Sequence, residues 1–288
     1  MKLVTFTYRG RTRVGEIIGD QVAPLAWADP MRSLLRRGVV GNRTYERFSL
    51  AEVKIEPPLI PSKIVAIGLN YADHAKETGK EPPAEPLIFA KYSSAIVGTQ
   101  EAITWRKSIT DAVDWEAELA VVIGKRGKDI PEENAYDYVF GYTCANDVSA
   151  RDLQHGKDSQ WTRGKSLDTF CPLGPVLVTR DEIEDPHALT VETKVNDEVM
   201  QSGNTGDMIF KIPYLIAYVS RMFTLEPGDI ILTGTPAGVG RGRTPPIYLK
   251  GGDVVTVSIQ GIGELVNHCQ EIDDVSEPAS DETPEETA

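Results

Sequence analysis

Apolar and polar positions alternate from the first residues of the chain. Leu3, Val4, Phe6 and Tyr8, then Val14, Glu16, Ile17 and Ile18, flank Arg9, Gly10 and Arg11, a pattern that predicts a β-hairpin. A short strand over residues 21–24 continues it, and residues 31–38 predict a brief helix. Pro57, Pro58 and Pro61 then break regular structure, which places a linker near residues 51–61. From Lys63 onward strand signals dominate, over residues 64–68, 87–91, 117–123, 138–145, 174–179, 189–195, 229–233 and 254–259. These runs are short, often β-branched, and bounded by Gly, Pro, Asn or Asp. Residues 209–222 are the clearest helix, and Asn196-Asp197-Glu198 predicts a hairpin tip. The balance predicts an α+β fold that is mainly β, with helices at its periphery. It divides into a small β-rich region over residues 1–56, a larger region over 61–270, and an acidic disordered tail over 273–288.

Composition narrows the function classes without selecting one. Of 288 residues, 41% are hydrophobic and 25% charged, which is ordinary for a globular chain and argues against fibrous or wholly disordered classes. The formal net charge is -13, but more than half of it resides in seven acids, Asp273, Asp274, Glu277, Asp281, Glu282, Glu285 and Glu286, in a stretch without Lys or Arg. No basic run with interleaved aromatics occurs, so nucleic acid is not an expected partner. Cys144, Cys171 and Cys269 are far apart and form no CxxC pair, which points to reduced thiols rather than a disulfide framework or a zinc knuckle. No stretch approaches the roughly 18 to 20 apolar residues that cross a bilayer, so no membrane partner and a cytoplasmic location are expected.

The strongest chemical signal is the run Asp114-Trp115-Glu116-Ala117-Glu118, followed by apolar residues to Ile123. Residues two apart on a strand share a face, so Glu116 and Glu118 present paired carboxylates. A Glu-x-Glu strand is ordinarily a solvated face. Here the apolar run that follows suggests a strand entering a core, where such a pair repels itself unless a cation lies between. Oxygen ligands suit Mg²⁺, Ca²⁺ or Mn²⁺ better than zinc. Asp147, at the end of the apolar run 138–145, is the candidate third ligand.

Three further features add candidate chemistry. Lys165, between Gly164 and a turn, could aim a point charge into a pocket beside an acidic site, although a surface lysine is the commoner case. The run Ile230 to Gly240 leaves a strand into a Gly-rich loop, where exposed N–H groups around Gly234 and the Thr235 hydroxyl could hold a carboxylate or phosphate. Its spacing is wrong for GxGxxG, and Pro245-Pro246 deny the helix that a dinucleotide fold needs. His74 and Glu77 lie three apart in a segment of helical spacing, the geometry of a carboxylate-oriented general base. An incidental surface pair is the alternative. His155, His187 and His268 have no comparable company.

Taken in order, Asn70-Tyr71-Ala72-Asp73-His74, Asp114-x-Glu116-x-Glu118, Asn146-Asp147-x-Ser149-x-Arg151-Asp152, Gly164-Lys165-Ser166 and Leu232-Thr233-Gly234-Thr235-Pro236-x-Gly238 resemble the fumarylacetoacetate hydrolase family, over about residues 64–263. The resemblance implies a mixed β-roll with a smaller N-terminal domain, frequently a homodimer, and Mg²⁺ or Mn²⁺ held by Glu116, Glu118 and Asp147. It further implies a catalytic Lys165, a His74–Glu77 dyad, and Arg151, Gln154, Thr235 and Gly234 as contacts for a small 2-oxo acid. The activity it implies is hydrolysis of a carbon–carbon bond in acylpyruvate-type 2,4-dioxo acids to pyruvate and a carboxylic acid, as in aromatic catabolism, with His74 activating water. Oxaloacetate decarboxylase and 2-hydroxyhepta-2,4-diene-1,7-dioate isomerase chemistry remain alternatives, as does a non-catalytic oxo-acid binding protein. The shorter N-terminal region makes fumarylacetoacetate itself a poor expected substrate.

Overall fold

In the computed structural model, residues 1–26, 30–38, 40–156 and 160–274 are described. The acidic tail expected over 273–288 lies outside them from residue 275. The first two strands, Lys2–Tyr8 and Arg11–Ile18, form the expected hairpin. Arg9 and Gly10 between them both have positive φ, 49° and 76°, the pairing that a two-residue hairpin turn requires. Asn196 and Asp197, at 51° and 67°, make the same kind of turn between Thr190–Val195 and Glu198–Asn204.

Two large sheets organise the fold. The main path of the larger runs Phe48–Ser49, Gln21–Pro24, Arg11–Ile18, Lys2–Tyr8, Cys171–Thr179, Val139–Asn146, Ala117–Ile123, Ile230–Leu232, Ile64–Gly68 and Leu87–Lys91. It is antiparallel except where Ile230–Leu232 pairs in parallel with Ile64–Gly68. The second sheet orders Glu198–Asn204, Thr190–Val195, Val254–Ile259, Gly263–Glu271 and Ala102–Trp105, with a parallel last step. The fold is therefore mainly β with mixed sheets, as expected. Part of the expected linker is itself a strand: Lys54–Glu56 pairs with Lys2–Tyr8, because Ile55 alternates with two polar neighbours and packs on the core. The prolines at 57, 58 and 61 break structure only after it.

The strand Ala117–Ile123 is buried along its whole length. Ala117, Leu119, Val121 and Ile123 enter one apolar cluster, and Ala120 and Val122 enter another on the opposite face. A strand covered on both sides carries no polar face, which explains its near-continuous apolar run. Each fully buried Leu, Val or Ile contributes about 1.5–3 kcal/mol relative to exposure. The charged member of this strand, Glu118, must therefore be compensated locally. The longest helix, Ile212–Met222, starts with Pro213 in its first turn and buries Ile212, Leu215, Ile216 and Val219, the spacing of one helical face. It begins three residues later than the apolar pattern suggests. Among the described residues no helix is long and apolar enough to cross a membrane.

Candidate active site

Register places the acidic residues. Ala117 stands opposite Asn146, and Glu118 opposite Ala145, so the ends of two adjacent strands bring Glu116, Glu118 and Asp147 together. One carboxylate oxygen from each lies within 4.8 Å of the other two, and all three residues are buried. Two local bonds hold the corner: the N–H of Glu116 donates to Oδ1 of Asn146 at 3.0 Å, and the N–H of Asp147 donates to the carbonyl of Glu116 at 2.8 Å. Glu116 lies just before the strand rather than on it, but its carboxylate still meets that of Glu118.

Cations surround this cluster. Lys165, on the short helix Thr162–Lys165, donates to Oε2 of Glu116 at 2.8 Å and Oδ2 of Asp147 at 2.7 Å. Lys91, wholly buried, donates to Oδ1 of Asp147 at 2.6 Å. Arg151 pairs through Nη1 with Oε1 of Glu116 at 2.7 Å, and through Nε with Oδ2 of Asp114 at 2.7 Å. Among the described residues no cation forms an ion pair with Glu118; the N–H of Gly234 donates to its Oε2 at 2.7 Å. That loop position demands glycine, since φ is 94° and a Cβ would lie 2.8 Å from Cβ of Asn70.

The two glutamates are driven apart electrostatically. Burial raises Glu116, but Lys165, then Arg151 and His74, outweigh it and hold that carboxyl below the ordinary range. Glu118 is pushed well above its ordinary value by burial, then by the charges of Asp147 and Glu116. Four buried carboxylates, Asp114 included, face three buried cations. An all-oxygen cluster with this residual negative charge, and one member strained toward the neutral form by its neighbours, fits a hard divalent cation.

The proposed base stands in the same cleft. Its lining includes His74, Glu116, Glu118, Arg151, Gln154, Lys165 and Thr235. His74 is carried on the helix Ala72–Glu77, and its Nδ1 lies 3.3 Å from Oε2 of Glu77, the loose end of hydrogen-bond distance. The other oxygen of Glu77 accepts the N–H of Gly238 at 2.9 Å, so the dyad is tied to the Gly-rich loop. A Cβ at Gly242 would fall 2.3 Å from the Glu77 carboxyl carbon, so any larger residue there would displace the Glu77 carboxylate. Gln154 accepts from Nη1 of Arg151 at 3.0 Å. The Thr235 hydroxyl accepts from Nε2 of Gln201 at 2.8 Å. Of the expected ligand contacts, Gly234 through its backbone N–H and Arg151 through Nη1 are each committed to a carboxylate of the cluster.

Sequence reasoning passed over three residues. Lys91 shares the inward side of its strand with Phe89, an alternation that pointed to burial. Asp114 was visible only as part of a motif, yet it accepts from the N–H of Trp115, Gly240 and Arg241 and from Arg151. Gln201 carries no sequence signal beyond its place on a strand. His187 has more company than expected: its Nε2 accepts the N–H of Ile212 at 3.1 Å, at the start of the long helix.

Fold and site together define a β-rich enzyme scaffold with a carboxylate-centred cleft of the kind that holds a hard cation. The family model described as fumarylacetoacetate (FAA) hydrolase C-terminal matches residues 63–270, and the chain belongs to the fumarylacetoacetate hydrolase family. It is 46% identical over 264 residues, 87% of this chain and 84% of the relative, to the mitochondrial oxaloacetate tautomerase Fahd2a of Rattus norvegicus. Its fold is similar to that of a fumarylacetoacetate hydrolase from psychrophilic Exiguobacterium antarcticum, with TM-score 0.87, 42% identity, and coverage of 94% of this chain and 100% of that one. It is also similar to maleylpyruvate hydrolase from Sphingobium sp. SYK-6 in complex with manganese (II) ion and pyruvate, with TM-score 0.76, 33% identity, and coverage of 94% and 99%. Relatives of this chain are thus enzymes, with tautomerase and hydrolase chemistries both represented.

Proposed function

We propose that this enzyme interconverts the keto and enol forms of a short 2-oxo dioic acid of the oxaloacetate class, with Mg²⁺ or Mn²⁺ held by Glu116, Glu118 and Asp147. The observation that carries the reading is the cleft itself. The cavity at its centre measures about 50 Å³ and is walled by Phe89, Trp161, Ile67 and Leu69 beside the acidic cluster and His74. Such a space suits a compact acid better than a long acyl chain. The similarity to an oxaloacetate tautomerase supports the same choice.

When bound, the cation supplies Lewis acidity toward the carboxylate and oxo oxygens of the substrate. Glu116, Glu118 and Asp147 would hold it, with Asp147 oriented by the hydrogen bonds it accepts from Lys91 and Lys165. Glu77 accepts a hydrogen bond from Nδ1–H of His74, which leaves Nε2 as the base. That nitrogen takes the proton from the carbon beside the oxo group, and the proton is returned to oxygen to give the enol. Trp161 and Phe89 limit the access of water, which the isomerisation does not require.

A second reading, hydrolysis of an acylpyruvate, is favoured by the His74–Glu77 dyad, because an oriented imidazole can equally take a proton from water. Oxaloacetate decarboxylation draws on the same cation. One experiment separates the three. Mg²⁺-loaded protein is given enol-oxaloacetate and an acylpyruvate, and enol absorbance, pyruvate and bicarbonate are followed together. Tautomerisation appears as decay of enol absorbance faster than the uncatalysed rate, without pyruvate. Absence of that acceleration, with stoichiometric pyruvate from the acylpyruvate, establishes hydrolysis instead.

A further inference from the structure

The whole chain is acidic, with 43 Asp and Glu against 30 Lys and Arg, yet the mouth of the cleft is walled by cations. Lys80 and Arg241 line the same cleft as His74, Glu116 and Lys165, and both are exposed. Among the described residues no carboxylate forms an ion pair with either side chain. Solvated surface cations need no explanation singly. The backbones of these two are held in place, and the Lys80 side chain with them.

Lys80 closes the turn after the His74 helix, where its N–H donates to the carbonyl of Ala75 at 2.9 Å. Its ammonium lies 5.5 Å from the centre of the Trp161 ring. The N–H of Arg241 donates to Oδ2 of Asp114 at 3.0 Å, and the same oxygen receives Nε of Arg151 at 2.7 Å. One buried carboxylate therefore anchors the Arg241 backbone and the Arg151 guanidinium together. Nη2 of Arg151, in the cleft wall, is buried without a partner. Burial first, then the charges of Arg241 and Arg151, hold the Lys80 ammonium below the ordinary lysine value. Arg241 is lowered by burial and then by Arg151. Like charges drawn together, with no carboxylate paired to the Lys80 or Arg241 side chain among the described residues, carry an electrostatic cost that an arriving anion relieves.

We propose that Lys80 and Arg241 form an anion-receiving rim for the distal carboxylate of a dianionic substrate whose 2-oxo acid end lies at the acidic cluster. The inference rests on the reaction class proposed above and deepens it, since the rim selects dianions over monoanions of the same length. The test uses the Mg²⁺-loaded full chain and two stable 2-hydroxy acids, malate as the dianion and lactate as the monoanion, titrated by calorimetry. In the Lys80→Gln, Arg241→Gln double variant, malate affinity falls about tenfold, the scale of two partly screened charge contacts, while lactate affinity is unchanged. Lys80→Arg retains malate affinity, and added salt narrows the difference between wild type and double variant. An equal malate-to-lactate ratio in wild type and double variant overturns the rim. KM for oxaloacetate, read from enol absorbance, rises in the same proportion with kcat preserved. Loss of malate preference in a protein whose wild type shows no tautomerisation supports the rim and removes the reaction class. Tautomerisation with an unchanged ratio does the reverse.

Discussion

Glu118 and His74 line one cleft, but they are held by different means. Glu118 sits in a seven-residue strand buried from end to end, paired on both sides by other strands of the large sheet. His74 rides on a six-residue helix whose Ala72, Asp73 and Lys76 face solvent. So short a helix is not stable by itself. It is docked by side chains that reach the Gly-rich loop: Asp73 accepts the N–H of Ala237 at 3.2 Å, and Glu77 that of Gly238. The carboxylate floor is thus built into the core, whereas the His74–Glu77 wall is one short helix tied by side-chain hydrogen bonds to the Gly-rich loop. The contrast implies that floor substitutions act on ion binding and, through the buried charges, on the stability of the ion-free fold, and wall substitutions change rate with the fold intact.

The sharpest break comes from the floor. Asp147→Asn removes the charge that both Lys91 and Lys165 face, and leaving a buried ion pair half-formed costs about 3–5 kcal/mol. Chemical denaturation of the ion-free protein reads this loss. Glu118→Gln discriminates stability from ion binding, because Glu118 is the carboxylate that burial, Asp147 and Glu116 already press toward neutrality. The ion-free variant is expected to keep or gain stability. Its Mn²⁺ affinity by calorimetry falls by more than about 100-fold, beyond the 10- to 100-fold usual for a residue that only supports a ligand. Wild-type Mn²⁺ affinity in Glu118→Gln would sink the assignment of the floor.

On the wall, His74→Ala is expected to slow turnover by roughly 10²- to 10⁴-fold, the scale of a general base, while Mn²⁺ affinity and unfolding midpoint stay near wild type. Full activity in that variant removes the dyad from the reaction. A smaller effect extends the contrast to a third place, the start of the helix Ile212–Met222. His187 there accepts a backbone N–H, and its imidazole is lowered from 6.5 by burial first and then by Lys211, against Asp185. Below about pH 6.5 the unfolded chain binds this proton more readily than the folded one, so stability is lost as pH falls toward the folded value. Unfolding midpoints measured between pH 5 and 8 decline on the acid side, and His187→Gln, which retains an acceptor, flattens the slope. Equal slopes in the two proteins would dismiss His187 as the cause.

Local pattern carried much of the architecture. The strands at 64–68, 87–91, 117–123 and 254–259 occupy the residues that their apolar runs and bounding turns mark out, and both two-residue turns fall where small or polar residues tolerate positive φ. The carboxylate pair was legible because two glutamates two apart precede an unbroken apolar run. The strand Cys171–Thr179 begins three residues before its pattern suggests, since Pro172 disguises a segment that pairs in parallel with Ile96–Val97.

What the chain determined by itself was most strands along the main path of the larger sheet, which side chains are acidic or basic within them, and the motif order that identifies the family, whereas Lys54–Glu56, Ala102–Trp105 and Gly263–Glu271 were not marked out. Tertiary structure alone decided that Lys91 meets Asp147 from 56 residues away, that Asp114 gathers Arg151 with the backbone of Gly240 and Arg241, and that Gly234 serves Glu118. The reason is physical. Alternation and propensity act over a few neighbouring residues, whereas the partner of a buried charge is set by sheet order and register, which join segments distant in the chain.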